Sequence, residues 1–298
     1  MSEAFRSGFV SLVGKPNVGK STLANRLVGR KVSITSRKPQ TTRHRILAIR
    51  TDADTQLILV DTPGLHDAGG RMVNRVINRM ARSSLSGVDV ILLMINASGW
   101  TGVDDLPFEL ATSQKVPVIL VINKVDRLKQ KSDLLPLIEE SHRRFEFDEI
   151  VPVSALSGHN VEALYEVVRA RLPVAPKCFP DDQVTDKSAR FVVSELIREQ
   201  LFRQLGQELP YVTAVKIEQY DESDDGIRVH ADIWVEKSSH KAIIIGRKGE
   251  RLKQIGTEAR QQIERFVNKH VFLELWVKVR KGWRDDSAAL EGLGYSET

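Results

Sequence analysis

Cysteine is almost absent from the chain: Cys178 stands alone among 298 residues, so no internal disulfide can form. No His and Cys spacing suits zinc, and Cys178 reads as a bystander thiol. No apolar run approaches the roughly 18 residues that a membrane-spanning helix needs. Met1-Ser2-Glu3-Ala4-Phe5-Arg6 lacks the apolar stretch of a signal peptide, so a cytoplasmic location is expected. No fixed-period repeat and no low-complexity tract is visible. Charge of one sign is also in short supply. Residues 1–172 hold 24 Lys and Arg against 18 Asp and Glu, and residues 173–298 hold 20 against 21, so overall charge assigns no partner to the C-terminal part. What remains is a 41% hydrophobic chain, longer than one nucleotide-binding domain requires and apolar enough for more than one core.

The first chemistry-bearing phrase is GKPNVGKS, from Gly14 to Ser21. It follows the apolar run 9–13, which reads as a buried strand, and precedes 21–28, which has helical spacing and ends at Gly29. In a strand-to-helix loop, Gly14 and Gly19 let backbone N–H groups wrap phosphates, Lys20 reaches the β- and γ-phosphates, and the Ser21 hydroxyl can ligate Mg²⁺. The helix N-terminus adds its positive dipole end. The competing reading is an ordinary Gly-rich turn.

A second phrase, Asn123-Lys124-Val125-Asp126, follows the apolar run 118–122 at the expected C-terminal rim of a parallel sheet. Asp126 can accept from guanine N1–H and the exocyclic amine, a donor pair that adenine lacks. Lys124 can lay its stem over the base, and Asn123 braces the loop. Ser154-Ala155-Leu156, after the strand 150–153, would complete the pocket with a backbone N–H to guanine O6. A solvated turn is the bland alternative for NKVD.

Asp61-Thr62-Pro63-Gly64 closes the apolar run 57–60. Asp61 can hold the water shell of Mg²⁺, and the Gly64 N–H can sense the γ-phosphate. Residues 30–45, with Pro39, Gln40, Thr41 and Thr42, offer hydroxyls for the remaining metal position, and Thr42 is taken as the ligand over Thr41. The alternative is a basic surface loop.

Residues 173–182 contain three prolines in eight positions, which end the helix 161–172 and mark a linker over 173–186. This divides the chain into 1–172 and 187–298. Beyond it the elements read α-β-β-α-α-β, with Gly246-Arg247-Lys248-Gly249 between two helices, and this order resembles a type II KH domain. A GxxG turn admits an RNA backbone without side-chain clash. Lys237, Lys241, Arg247, Lys248, Arg251 and Lys253 face only Glu250 between positions 237 and 253. The RNA-contact set is Lys241, Ile244, Ile245, Gly246, Arg247, Lys248, Gly249, Arg251 and Lys253. The bland alternative is a solvated helix face beside an incidental GxxG. Trp276 and Trp283 are expected to be structural.

GKPNVGKS, QTTR, DTPGLH, NKVD and SAL in this order, followed by a KH-like half, resemble the Era family of bacterial ribosome-assembly GTPases over almost the whole chain. The fold implied is an α/β P-loop GTPase domain, a parallel-rich sheet with helices on both faces, plus a C-terminal α+β KH domain. The resemblance extends the GTP-binding set to Lys15, Pro16, Asn17, Val18, Thr22, Thr62 and Pro63, and the catalytic set to Lys20, Asn17, Thr42 and Gly64. Leu65 stands where Ras-like proteins carry a water-positioning Gln. The resemblance implies that Asn17 helps hold a monovalent cation, K⁺; a loop-bracing amide is the alternative. His66 receives no role. Further implications are binding of 16S rRNA near its 3′ end, a role in 30S subunit assembly, a monomer, and peripheral association with the inner membrane. Two other classes stay open: a P-loop phosphotransferase, and an RNA-binding module whose G domain does not hydrolyse.

Overall fold

The computed structural model describes residues 4–36, 38, 41–64, 72–206 and 208–295. Pro39, Gln40, Leu65 and His66 lie outside the described residues. The chain divides into two compact units, Met1–Ser33, Thr42–Asp67 and Asn78–Asp186 in the first, and Ile34–Thr41, Ala68–Ile77 and Lys187–Thr298 in the second.

The first unit is built on six strands: β1 (Arg6–Gly14), β2 (Ile46–Thr51), β3 (Thr55–Asp61), β4 (Val90–Asn96), β5 (Val118–Asn123) and β6 (Glu149–Val153). Their order is β2-β3-β1-β4-β5-β6, parallel throughout except for β2 against β3. The central strands are continuous apolar runs because both faces are covered. Leu57 and Leu59 pack to one side with α1 (Lys20–Val28) and α5 (Val161–Arg169). Ile58 and Val60 pack to the other, where α3 (Asp105–Thr112) and α4 (Leu134–Arg144) contribute Ala111 and Leu137. α2 (Met72–Ser83) lies between β3 and β4 in the chain. All five parallel strands run the same way, so the loops leaving β1, β3 and β5 gather at one rim, and these carry GKPNVGKS, DTPG and NKVD.

Residues 173–186, expected as a linker, are tied to the first unit. The Ile49 N–H donates to the Val184 carbonyl at 2.9 Å and the Leu47 N–H to Asp186 Oδ1 at 2.8 Å. The buried Gln56 amide accepts from the N–H groups of Cys178 (2.7 Å) and Phe179 (2.9 Å). The prolines stop the helix, but the freed backbone groups find partners along the sheet edge.

The second unit contains α6 (Ala189–Gln204), β7 (Thr213–Ser223), β8 (Gly226–Val235), α7 (Ser238–Ile245), α8 (Glu250–Val267), β9 (Val271–Val279) and α9 (Ser287–Gly292). β7 pairs antiparallel with β8, and β8 parallel with β9. Val229, Ala231 and Ile233 on β8 form one core with Ile197 and Leu201 of α6, Ile244 of α7 and Ile255, Ala259 and Ile263 of α8. Trp283 is fully buried beside Trp234, Leu290 and Tyr295. Trp276, expected to be structural, is 53% exposed, because β9 is an edge strand whose alternate residues leave the core.

The stretch preceding Thr42 belongs to the second unit, where α6 holds it. Glu199 Oε1 accepts the Thr35 N–H at 3.0 Å, and the buried Arg198, paired with Glu195, donates to the Thr41 carbonyl at 2.5 Å. The basic surface loop considered from sequence is therefore corrected: Ile34, Thr41, Thr42, Arg43 and His44 are all buried.

Candidate functional site

The loop from Gly14 to Lys20 joins β1 to α1 and folds back on its own lysine. Lys20 is buried, and its Nζ donates to the carbonyls of Gly14 (2.8 Å) and Lys15 (3.1 Å). Burial lowers its pKa from 10.5 to about 8, against the opposing attraction of Asp61. Val18 is buried beneath the loop, while Pro16 is half-buried and Asn17 is exposed at a positive φ of 60°. Lys15 pairs with the buried Asp104 (2.8 Å). Thr22 is half-buried in the first turn of α1.

Ser21 and Thr42 are brought together, their hydroxyl oxygens 2.7 Å apart. Thr41 instead bonds to Ser36 (2.6 Å) and the Lys38 carbonyl (2.8 Å), which favours Thr42 as the hydroxyl available at this position. Asp61, at the end of β3, is fully buried with neither carboxylate oxygen hydrogen-bonded. Burial raises its pKa, opposed by the neighbouring Ser21 and Ser33 hydroxyls and by Lys20. Two adjacent hydroxyls and an unpartnered carboxylate form a hard oxygen set that suits Mg²⁺ and its water shell. Thr62 is buried and donates to the Leu12 carbonyl at 2.8 Å, so its side chain ties β3 to β1. Pro63 and Gly64 are buried, and a side chain at Gly64 would stand 2.9 Å from Pro16 Cα, which sets the DTPG turn directly on the phosphate loop.

Asn123 locks the base-side loops. Its amide donates to the Val18 carbonyl (2.8 Å) and accepts the Ala155 N–H (3.0 Å). Gly19, at φ 114°, has no room for a Cβ because the Asn123 amide occupies that place. The bracing role expected for Asn123 is therefore present in the contacts. The Ala155 N–H is consumed by that brace, so a donor to guanine O6 would have to come from Leu156. Lys124, at φ 69°, donates to the Asn17 carbonyl at 2.5 Å, which lays it across the loop. Its pKa is lowered by burial first, then by Arg127 and Lys15. Asp126 is exposed, oriented by the Ser154 hydroxyl at 2.5 Å.

Two residues that motif reading passed over support the site from α1. Arg26 donates to the carbonyls of Leu156 (2.5 Å) and Ala155 (3.4 Å). Asn25 accepts the N–H groups of Val32 and Ser33, both at 2.9 Å. Neither belongs to a named motif, and only the fold shows that this helix reaches both loops.

In the second unit, Gly246 ends α7 with its N–H on the Ala242 carbonyl (2.9 Å), and Arg247-Lys248-Gly249 makes a single turn into α8. Lys241, Arg247, Lys248, Arg251 and Lys253 are all exposed around it. Arg251 also donates to the Ile243 carbonyl at 2.8 Å, so one guanidinium nitrogen secures the turn. A Cβ on Gly249, at φ 81°, would meet nothing within 4 Å. The open side of this turn is free for an approaching backbone. Ile244, expected as a base contact, is corrected: it is 0% exposed and belongs to the core. Ile245 is half-buried, and the exposed member of the run is Ile243, at 46%. The helical turn rotates Ile244 onto the sheet.

Residues 9–124 match the family described as 50S ribosome-binding GTPase, and residues 208–284 match the KH domain family. GTPase Era from Stenotrophomonas maltophilia (strain R551-3) is 53% identical over 288 residues, 97% of each chain. GTPase Era from Xanthomonas oryzae pv. oryzae (strain MAFF 311018) is 53% identical over 294 residues, covering 99% of this chain and 98% of its own. The chain belongs to the Era family of GTPases. Among solved structures, Era in complex with MgGDPNP and nucleotides 1506–1542 of 16S ribosomal RNA superimposes with a TM-score of 0.95 at 40% identity, over 98% of this chain and 100% of that one. An Aquifex aeolicus Era variant bound to GDP·AlF4⁻ matches with the same score, identity and coverage. This Era-family chain is thus a GTPase with a P-loop domain and a C-terminal KH domain. Among the described residues, no helix is long and apolar enough to cross a membrane.

Proposed function

We propose that this GTPase binds 16S rRNA near its 3′ end through the KH turn and acts in the cytoplasm in assembly of the small ribosomal subunit, with GTP governing its hold on RNA. The supporting relative is the Era structure with MgGDPNP and a 16S rRNA segment. The observation that carries the reading is an open GxxG turn ringed by five exposed cations, in a chain whose phosphate and guanine loops are intact.

Guanine selection falls to Asp126, held by Ser154, with Lys124 over the base and Asn123 fixing both loops. Lys20, at present satisfied by two loop carbonyls, trades them for phosphate oxygens and stabilises the charge that develops as water attacks the γ-phosphate in line. Ser21, Thr42 and, through water, Asp61 are the residues that would hold Mg²⁺, which would supply positive charge to neutralise the phosphates. Gly64 offers its N–H beside the γ-phosphate. Asn17, in the phosphate loop, is the residue that would hold K⁺, whose charge would stand in where a water-positioning Gln is lacking. At the KH turn, Arg247 and Lys248 face phosphates while Gly249 keeps the backbone approach clear and Gly246 lets the turn close against Arg251, with Lys241, Arg251, Lys253 and Ile245 flanking. Residues 1–172 and 187–298 serve as the nucleotide and RNA modules.

Crosslinking in growing cells, followed by sequencing of the captured RNA, tests this reading. The expected reads concentrate at the 3′ end of 16S rRNA and disappear in Gly249→Asp. Reads spread over unrelated transcripts, or retained in that variant, would overturn it.

A further inference from the structure

The second residue of the phosphate loop makes an ion pair that no motif anticipates. Lys15 Nζ lies 2.8 Å from Asp104 Oδ2 and 3.0 Å from the Thr101 hydroxyl. Asp104 is 1% exposed. Its Oδ2 also accepts the Thr101 N–H (3.0 Å) and hydroxyl (2.7 Å), while Oδ1 is buried without a hydrogen bond. A buried carboxylate left half-satisfied is costly unless a cation compensates it, and Lys15 is the partner with which it forms a salt bridge.

The anion is also held still. Residues 101–104 form one capped helical turn in which Thr101 and Asp104 bond reciprocally. Trp100, just before it, donates to the buried Ser141 hydroxyl (3.0 Å) and meets Phe108 edge-on, 5.6 Å between ring centres. Asp104 is therefore a fixed charge on a rigid turn, reaching across to a glycine-containing loop. What Lys15 does with its backbone matters equally: its carbonyl accepts the Lys20 ammonium (3.1 Å) and the Val18 N–H (3.4 Å). Pinning the Lys15 side chain thus fixes the peptide that aims Lys20.

We infer that Asp104 is a positioning residue for nucleotide binding, which through Lys15 holds the phosphate loop in its binding shape and keeps the Lys15 charge off the phosphates. The inference rests on this loop holding the nucleotide. Charge placement agrees with it, since Lys15 is near enough to Lys124 to repel it. The pair acts mainly on a loop that grips the phosphates before and during reaction. Its loss therefore weakens binding more than it slows the chemical step.

The test compares wild-type protein with Asp104→Asn, Lys15→Met, both together, and Lys15→Arg, measuring KM and kcat for GTP and the dissociation constant for GDP. Asp104→Asn should raise KM and the GDP constant about tenfold with kcat within about twofold. Lys15→Met should raise both binding constants by a similar factor, the double variant should be no worse than either single one, and Lys15→Arg, which keeps the charge, should bind more tightly than Lys15→Met. Multiplying effects in the double variant would overturn the inference. So would a fall in KM for Asp104→Asn, which would make Lys15 a withheld phosphate ligand, or a lower melting temperature with unchanged KM. If Asp104→Asn does not fold, Lys15→Met and Lys15→Arg decide the matter through the other partner. Wild-type protein that bound no GTP would defeat the nucleotide reading itself, a different failure from any of these.

Discussion

Binding GDP to the free protein at pH 8.5 should draw about three quarters of a proton per nucleotide out of solution. The proton belongs to Lys20. Burial sets its pKa at about 8 in the free protein, with Asp61 opposing, although a lysine in water stays charged to 10.5. Phosphate oxygens in place of two carbonyls favour the ammonium and carry the bound value back to the ordinary range or above. Less than about a tenth of the free molecules need a proton at pH 7, but about three quarters need one at pH 8.5, so affinity should fall about fourfold between them. Titration calorimetry in two buffers of different ionisation enthalpy reads the uptake directly. A chelator keeps Mg²⁺ out of the titration, so that the uptake reports the nucleotide and Lys20 alone. Folding responds with the opposite sign. The folded free protein binds fewer protons than the unfolded chain between pH 8 and 10.5, so this lysine makes the free fold gain stability as pH rises through that window. Zero uptake at pH 8.5, or uptake that persists in Lys20→Met, would refute the reasoning.

Asn123→Ala leaves the Val18 carbonyl and the Ala155 N–H without their shared partner, and should cost about 2–4 kcal/mol in urea unfolding of the free protein. An unfolding midpoint unchanged from wild type would remove the brace. Asp126→Asn should weaken GTP and improve xanthosine triphosphate, whose C2 oxygen suits an amide donor; equal GTP affinity in a titration would contradict the guanine assignment. Hydrolysis should run faster in K⁺ than in Na⁺, with Asn17→Ala flattening the difference, and equal wild-type rates in the two salts would return Asn17 to loop bracing.

Much of this site could be read before the fold was known, for a physical reason. A phosphate loop, an acid at a strand end and a base-reading tetrapeptide each need fixed residue types at fixed spacing, and each follows an apolar run long enough to identify its strand. Gly14, Lys20, Asp61, Asn123 and Asp126 were legible in that way, as were both helices around the GRKG turn. What spacing could not supply was the rotation of single residues and the reach of remote ones. Ile243 and Ile244 are equally apolar neighbours, yet a hundred degrees of helix turn sends one to solvent and the other to the core. Which N–H of Ser154-Ala155-Leu156 faces a base is not written in the tripeptide, because Asn123, 32 positions before Ala155, takes the Ala155 N–H. Asp104 lies 89 positions from Lys15 in a turn with no motif of its own. The helix expected over 161–172 ends at Arg169, and the prolines of residues 173–180 carry no sign that Gln56 collects the N–H groups of Cys178 and Phe179.

GTP turnover with and without an RNA fragment from the 3′ end of 16S rRNA, run on wild-type protein and on Gly249→Asp from parallel preparations, tests the central claim that one chain hydrolyses GTP and uses its KH turn to hold RNA. A side chain at Gly249 meets no neighbour within 4 Å but is strained at φ 81°, so the melting temperature and intrinsic rate of the variant are read beside its RNA response, while the new carboxylate faces the approaching phosphate. The account predicts RNA-stimulated hydrolysis in the wild type and, in the variant, an intact intrinsic rate with no stimulation. Undiminished stimulation and RNA affinity in Gly249→Asp would contradict it.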